Sequence, residues 1–127
     1  MMKNIIGLQH IGMPVNDSAA TVAFYTKLGF SVAYETFNGA EHVVFLQKGE
    51  LVLETYENHR SALLDGAWDH VALGVADIQK AWDEIVVGLG LPSLEGAIQF
   101  LPFWEAGVKF FTIKGPDQEK IEFSQML

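Results

Sequence analysis

The apolar and polar positions change period several times along the chain, and each change marks an element. Across residues 8–15, apolar Ile11, Met13 and Val15 alternate with His10, Gly12 and Pro14. That two-residue period predicts a strand with two distinct faces. Asn16 or Asp17 is placed to cap a helix whose apolar stripe is Ala20, Ala23, Phe24 and Leu28, with Gly29 as its left-handed stop. Three strand-like runs follow at 31–37, 42–47 and 51–56, the first two joined by the hairpin signal Asn38-Gly39. Residues 58–67 read as a linker with one helical turn.

The pattern then starts again. WDHVALGVAD at 68–77 repeats LQHIGMPVND at 8–17, with His70 on His10, Val75 on Val15 and Asp77 on Asp17. Asp77 caps a second helix with Ile78, Ala81, Trp82, Ile85 and Leu89 as its stripe, and Gly90 and Pro92 end it. Residues 97–101 are less regular. Strands are predicted at 108–113 and 120–125, around a turn at 115–118. A repeat of this length means two similar units, each too small to bury its own apolar face. The expectation is an α+β fold in one structural domain: a first βαβββ module at 1–57, a linker at 58–67 and a second βαβββ module at 68–127.

Composition narrows the function. Half of the residues are hydrophobic (50%), enough for a sizeable core without covalent staples. There is no cysteine, so a metal site has only nitrogen and oxygen ligands to draw on. The net charge of -8, from 8 basic and 16 acidic residues, argues against nucleic acid and anionic membrane surfaces as partners. No apolar run reaches the roughly 20 residues of a spanning helix. In the first residues, MMKNIIGLQHIG, Gln9 and His10 interrupt the apolar run, which reads as strand rather than signal peptide. A soluble cytoplasmic protein acting on a small molecule is expected.

The chemistry sits in repeat-related slots. Each module opens on a strand histidine, His10 or His70. Each closes on a strand with one glutamate between apolar neighbours: Glu54 in LVLET and Glu122 in IEF. Alternation turns such a glutamate to the face opposite its apolar neighbours. If the first and last strands of each module are neighbours, two imidazoles and two carboxylates share a concave face. That set suits one divalent first-row ion (Ni, Zn, Co, Mn or Fe), and two carboxylates on a dication make a neutral site that is less costly to bury. His42 and His59 read as surface or pocket residues, and Glu50 and Glu57 as solvated. Trp82 reads as core. Phe37, Phe45, Tyr56, Phe100, Phe103, Trp104 and Phe110 are candidates to line a cavity. No nucleophile elbow, phosphate-cradling loop or dinucleotide fingerprint is present.

These stretches resemble the vicinal oxygen chelate superfamily, which includes glyoxalase I, fosfomycin-resistance proteins, extradiol dioxygenases, methylmalonyl-CoA epimerase and bleomycin-resistance proteins. The resemblance rests on QHIGMPVND with FYTKLGF, LVLETYE, WDHVALGVAD and GPDQEKIEF, and covers nearly the whole chain. It implies paired βαβββ modules forming a curved mixed sheet around a metal cavity, usually in a homodimer. Among these proteins the chain is most similar to glyoxalase I. Carried over from it, the metal ligands are His10, Glu54, His70 and Glu122. The implied reaction is an isomerisation through a metal-bound enediolate, with Glu122 or Glu54 moving the proton. The arginine that holds glutathione in glyoxalase I is replaced here by Pro14. Other functions the resemblance admits are a fosfomycin-type transferase, an epimerase, a ring-cleaving dioxygenase, and a metal-free drug-binding protein of the bleomycin-resistance type.

Overall fold

The computed structural model describes residues 3–27, 29–64, 66–114 and 120–127. The fold is α+β, with strands that carry nearly all of the predicted elements. The chain packs as two compact units, one of His10–Asp69 and one of Met1–Gln9 with His70–Leu127. The chain passes between them at the Gln9–His10 and Asp69–His70 bonds. The first strand, β1 (Ile5–Val15), therefore contributes to both.

In the unit His10–Asp69 the strand order is β2-β3-β4-β1. β2 (Ser31–Asn38) and β3 (Glu41–Lys48) form the predicted hairpin, and β4 (Leu51–Glu57) lies antiparallel to β3. β4 then runs parallel to β1, from Ile11 opposite Leu53 to Val15 opposite Glu57. A parallel pair needs a crossover, and α1 (Ser18–Lys27) with the β2–β3 hairpin supplies it. Val44, Leu46 and Leu53 are almost fully buried, with Ile11, Val22, Tyr25 and Phe30 packed against them.

The buried face of α1 is not the predicted one. Val22 and Tyr25 pack on the core, whereas Ala20 and Ala23 are exposed and Phe24 is 57% exposed. Both sets satisfy helical spacing. Phe30 decides between them, because its ring packs edge-on against Tyr25 and its N–H bonds the Tyr25 carbonyl at 3.0 Å. Asp17 caps the helix, its Oδ1 accepting from the Ala20 N–H. Glu57 is not merely solvated: its Oε2 accepts the Ser18 N–H at 2.7 Å, a second acceptor at the same positive helix end. No helical turn is present among the described residues of 58–67.

In the other unit the first half of β1 is followed by β5 (His70–Val75), β8 (Lys120–Met126), β7 (Val108–Lys114) and β6 (Gln99–Leu101) in that order. β5 pairs parallel with β8, and β7 and β6 continue antiparallel. Asp77 caps α2 (Ile78–Trp82) as predicted. The Ile78 N–H goes to the Gln125 side chain, which ties the helix start to β8. Ile78, Ala81 and Ile85 are buried with Val75, Phe111, Ile113 and Phe123, and Trp82 packs against them. Leu89 does not complete the stripe; it is 61% exposed. After Trp82 the chain continues as a π-helical segment, Asp83–Gly88. A wider turn advances the phase by about one residue, which carries Leu89 off the buried face. Leu28 and the turn at 115–118 lie outside the described residues. No described helix is long and apolar enough to cross a membrane.

Phe111 has no exposed surface, stacks on Phe123 at 5.2 Å and meets Trp82 edge-on. Phe111→Ala is expected to cost about 3–5 kcal/mol. The exposed Phe24→Ala is expected to cost about 0.5 kcal/mol or less. Denaturant unfolding of the two variants checks the difference and the face assigned to α1.

Candidate metal centre

Each half of the predicted ligand set is assembled inside one compact unit. In the unit His10–Asp69, the parallel register places Glu54 opposite Gly12, two residues beyond His10 on the same strand face. His10 Nε2 and Glu54 Oε1 are 3.5 Å apart. In the other unit the register places Glu122 opposite Ala72, again two residues beyond the histidine. His70 Nε2 and Glu122 Oε1 are 3.6 Å apart. The offset is the same in both units. The residue opposite each carboxylate is also small, Gly12 or Ala72, so no bulky side chain stands between acid and imidazole. That smallness was present in the sequence as a signal and went unused.

These side chains are largely out of water: 6% and 13% exposed for His10 and Glu54, 10% and 13% for His70 and Glu122. Burying a carboxylate is costly unless it is paired. Each nitrogen–oxygen separation exceeds the 2.7–3.2 Å typical of a hydrogen bond. Two ligand atoms about 2.1 Å from one ion, at the tetrahedral angle, stand about 3.4 Å apart. The donor types, burial and spacing within each pair therefore fit a divalent cation. Nitrogen and oxygen donors without thiolate suit Zn, Ni, Co, Mn or Fe.

The surroundings in the unit His10–Asp69 are aromatic. Phe45, opposite Glu54 on β3, meets the His10 ring edge-on with centroids 5.7 Å apart. Tyr34, opposite Phe45 on β2, continues the same face and was not among the predicted cavity residues. Tyr56 lies two residues beyond Glu54 and shares its face. Its hydroxyl is bonded to the side chain of Asp69. Burial, followed by the nearby charges of Asp69, Glu54 and Glu41, pushes the Tyr56 phenol far above its ordinary pKa of 10.0. In the other unit, Phe110 is opposite Ser124 and shares the face of Glu122.

Other candidates lie elsewhere. Phe37 is on the opposite face, 67% exposed and stacked on His42, whose Nε2 is 3.0 Å from Glu35 Oε2. His59 bonds the Asn16 carbonyl through Nδ1 at 2.9 Å and lines a hollow of about 360 Å³ with Glu41, Glu57 and Arg60. Phe103 is buried. Phe100 pairs with Lys109, on the face of β7 away from Phe110. Asp69, which sequence reading passed over as part of the strand start, is the partner of Tyr56.

Known proteins resemble this chain in sequence and in fold. A sequence profile of the Glyoxalase/Bleomycin resistance protein/Dioxygenase superfamily matches residues 7–88. No curated protein sequence matches the chain. Among solved structures, methylmalonyl-CoA epimerase from Mycobacterium tuberculosis superposes with a TM-score of 0.75 at 16% identity, over 100% of this chain and 92% of that one. A glyoxalase/bleomycin resistance protein/dioxygenase superfamily member from Vibrio splendidus 12B01 gives 0.64 at 19% identity, over 94% and 99% of the two chains. The Mn(II)-bound glyoxalase from Novosphingobium aromaticivorans gives 0.64 at 18% identity, and 96% of this chain covers only 39% of that one. At these identities the likeness is one of fold.

Tyr56 makes a pH prediction for the metal-free protein. The unfolded chain releases this proton near pH 10.0, whereas the folded chain holds it. Tyr56 therefore contributes stability below that pH, and the contribution falls as pH rises above it. The stability gap between wild type and Tyr56→Phe is expected to hold up to about pH 9 and to narrow as pH rises through 10.0 and beyond. Tyrosinate absorbance from Tyr56 is expected only on unfolding, read as the wild type minus Tyr56→Phe difference spectrum.

Proposed function

Since this chain belongs to the Glyoxalase/Bleomycin resistance protein/Dioxygenase superfamily, we propose that it is a divalent-metal-dependent isomerase or lyase of the glyoxalase I type. Its substrate would be a small molecule with oxygens on neighbouring carbons. In this reading His10, Glu54, His70 and Glu122 hold one ion between them. The observation that carries the reading is the repeated half-site: the same histidine–glutamate pair, at the same register offset, in each unit. Both histidines are also the first residues after the two bonds at which the chain passes between units.

When bound, a divalent ion supplies positive charge against the negative charge that develops as a carbon acid loses its proton. The protein's own part is proton transfer. The carboxylate of Glu122 or Glu54 takes the proton from the carbon next to the carbonyl and returns it to the neighbouring carbon. His10 and His70 would hold the ion through ring nitrogens and leave its charge to be offset by the two acids. Phe45, Tyr34 and Tyr56 keep water from one side of the reacting carbon. Pro14, on β1 opposite Tyr56, puts no cation where a glutathione carboxylate would be held in glyoxalase I. This favours a substrate other than a glutathione adduct.

Two equivalent glutamates also favour a second reading, epimerisation, in which one acid removes the proton and the other returns it to the opposite face of the same carbon. We further propose a homodimer in the cytoplasm, as an acidic chain in which no described helix is long and apolar enough to cross a membrane allows.

Protein purified without chelator is expected to contain one divalent ion per chain, measured by elemental analysis. His10→Ala or His70→Ala is expected to lose it. Solvent deuterium is expected to enter the carbon next to the carbonyl of a turned-over substrate. Glu122→Gln is expected to slow that exchange by about 100-fold or more. Exchange with isomerisation supports the glyoxalase reading, and exchange with inversion supports the epimerase. A metal-free protein that takes up neither Ni, Co nor Zn on titration sinks both readings in favour of a small-molecule binding protein.

A further inference from the structure

Two hydrogen bonds outside the ligand set occupy repeat-related positions. Gln9 immediately precedes His10, and its Nε2 donates to the carbonyl of Ser124 at 3.1 Å. Ser124 stands two residues after Glu122. Asp69 immediately precedes His70, and its carboxylate accepts from the hydroxyl of Tyr56. Tyr56 stands two residues after Glu54. In both cases the residue before a histidine of one module is bound to the residue two places after the glutamate of the other. Each bond lies within one compact unit, and Gln9 and Asp69 are the last residues before the chain crosses to the next.

A third contact strengthens the second bracket. The Asp69 N–H donates to the Gly12 carbonyl at 2.7 Å. Gly12 is the residue opposite Glu54. Asp69 is thus held at its backbone by β1 and at its side chain by β4, the two strands that carry His10 and Glu54. Its other neighbour in the chain is His70. Gln9 is held in the same sense by β8, the strand of Glu122, and its neighbour is His10.

We infer that Gln9 and Asp69, with Tyr56, are positioning residues that fix where each histidine enters the metal centre and so set its affinity for the ion. The inference rests on the metal reading above. An unbracketed histidine samples more backbone positions, and the ion must then order it on binding. Residues that orient ligands in this way are typically worth about 10- to 100-fold in metal affinity. Asp69 acts through its acceptor oxygen, so Asp69→Asn, which keeps an acceptor, should preserve the bracket. Asp69→Ala should not. Tyr56→Phe and Gln9→Met each remove one donor while keeping the side chain's bulk.

The test is competition titration with Co(II), which also reports ligand geometry through its visible absorption. Tyr56→Phe and Gln9→Met are each expected to bind Co(II) about 10- to 100-fold more weakly, with an altered visible band. The thermal midpoint of the metal-free protein is expected to stay close to wild type in Gln9→Met and to fall by only about 2–6 °C in Tyr56→Phe, the cost of its lost hydrogen bond. Asp69→Asn is expected to stay within about threefold of wild type in affinity, and Asp69→Ala to match Tyr56→Phe. Unchanged affinity and spectrum in both donor-less variants overturns the inference, as does a loss that merely follows collapse of the metal-free fold. Hydrogen exchange without metal judges the Tyr56 bracket separately. The Asp69 amide is expected to exchange about three- to tenfold faster in Tyr56→Phe. Wild type that binds no Co(II) ends the metal reading, and unchanged Asp69 exchange ends the bracket.

Discussion

The register of two parallel strand pairs is the constraint on which the rest depends. Along a strand, side chains alternate faces, so His10 and Glu54 share a face only if β1 and β4 pair in an even offset. They do: Glu54 lies opposite Gly12, two residues past His10. The same offset recurs where Glu122 lies opposite Ala72, two residues past His70. A slip of one residue in either pair would send its glutamate into the apolar layer beneath the helix. The register is held from that layer. Leu53, beside Glu54, is buried in one core, and Phe123, beside Glu122, is buried in the other. The hydrophobic effect on one face of each sheet thus places the acids on the other.

The electrostatics follow from that placement. The chain is acidic overall, yet the side chains of the four candidate ligands are largely out of water. A carboxylate with about one-eighth of its side chain in water has lost most of its solvation. On the metal reading proposed above, a divalent ion would offset two such charges. The Tyr56 phenol responds to the same field, since burial and the nearby carboxylates hold its proton on.

Much of this was legible in the chain. The repeat of LQHIGMPVND as WDHVALGVAD, and the lone glutamates in LVLET and IEF, are local patterns, and alternation alone assigns their faces. The capping role of Asp77 and the Asn38-Gly39 hairpin were equally local. The helices were less so. Ala20, Ala23 and Phe24 fit helical spacing as well as Val22 and Tyr25 do, and the contact between Tyr25 and Phe30 was needed to choose. Leu89 fell outside the core because a π-helical segment shifts the phase, and no propensity announces such a segment.

What the sequence settled by itself is parity: which residues of each strand face together, and that the pattern is used twice. It settled this because alternation is fixed by backbone geometry, one residue at a time. The tertiary structure alone decided the offset between parallel strands, the rotation of α1, and the bonds from Gln9 to Ser124 and from Tyr56 to Asp69. Each of these joins residues far apart in the chain, and their energies depend on neighbours that no local window contains.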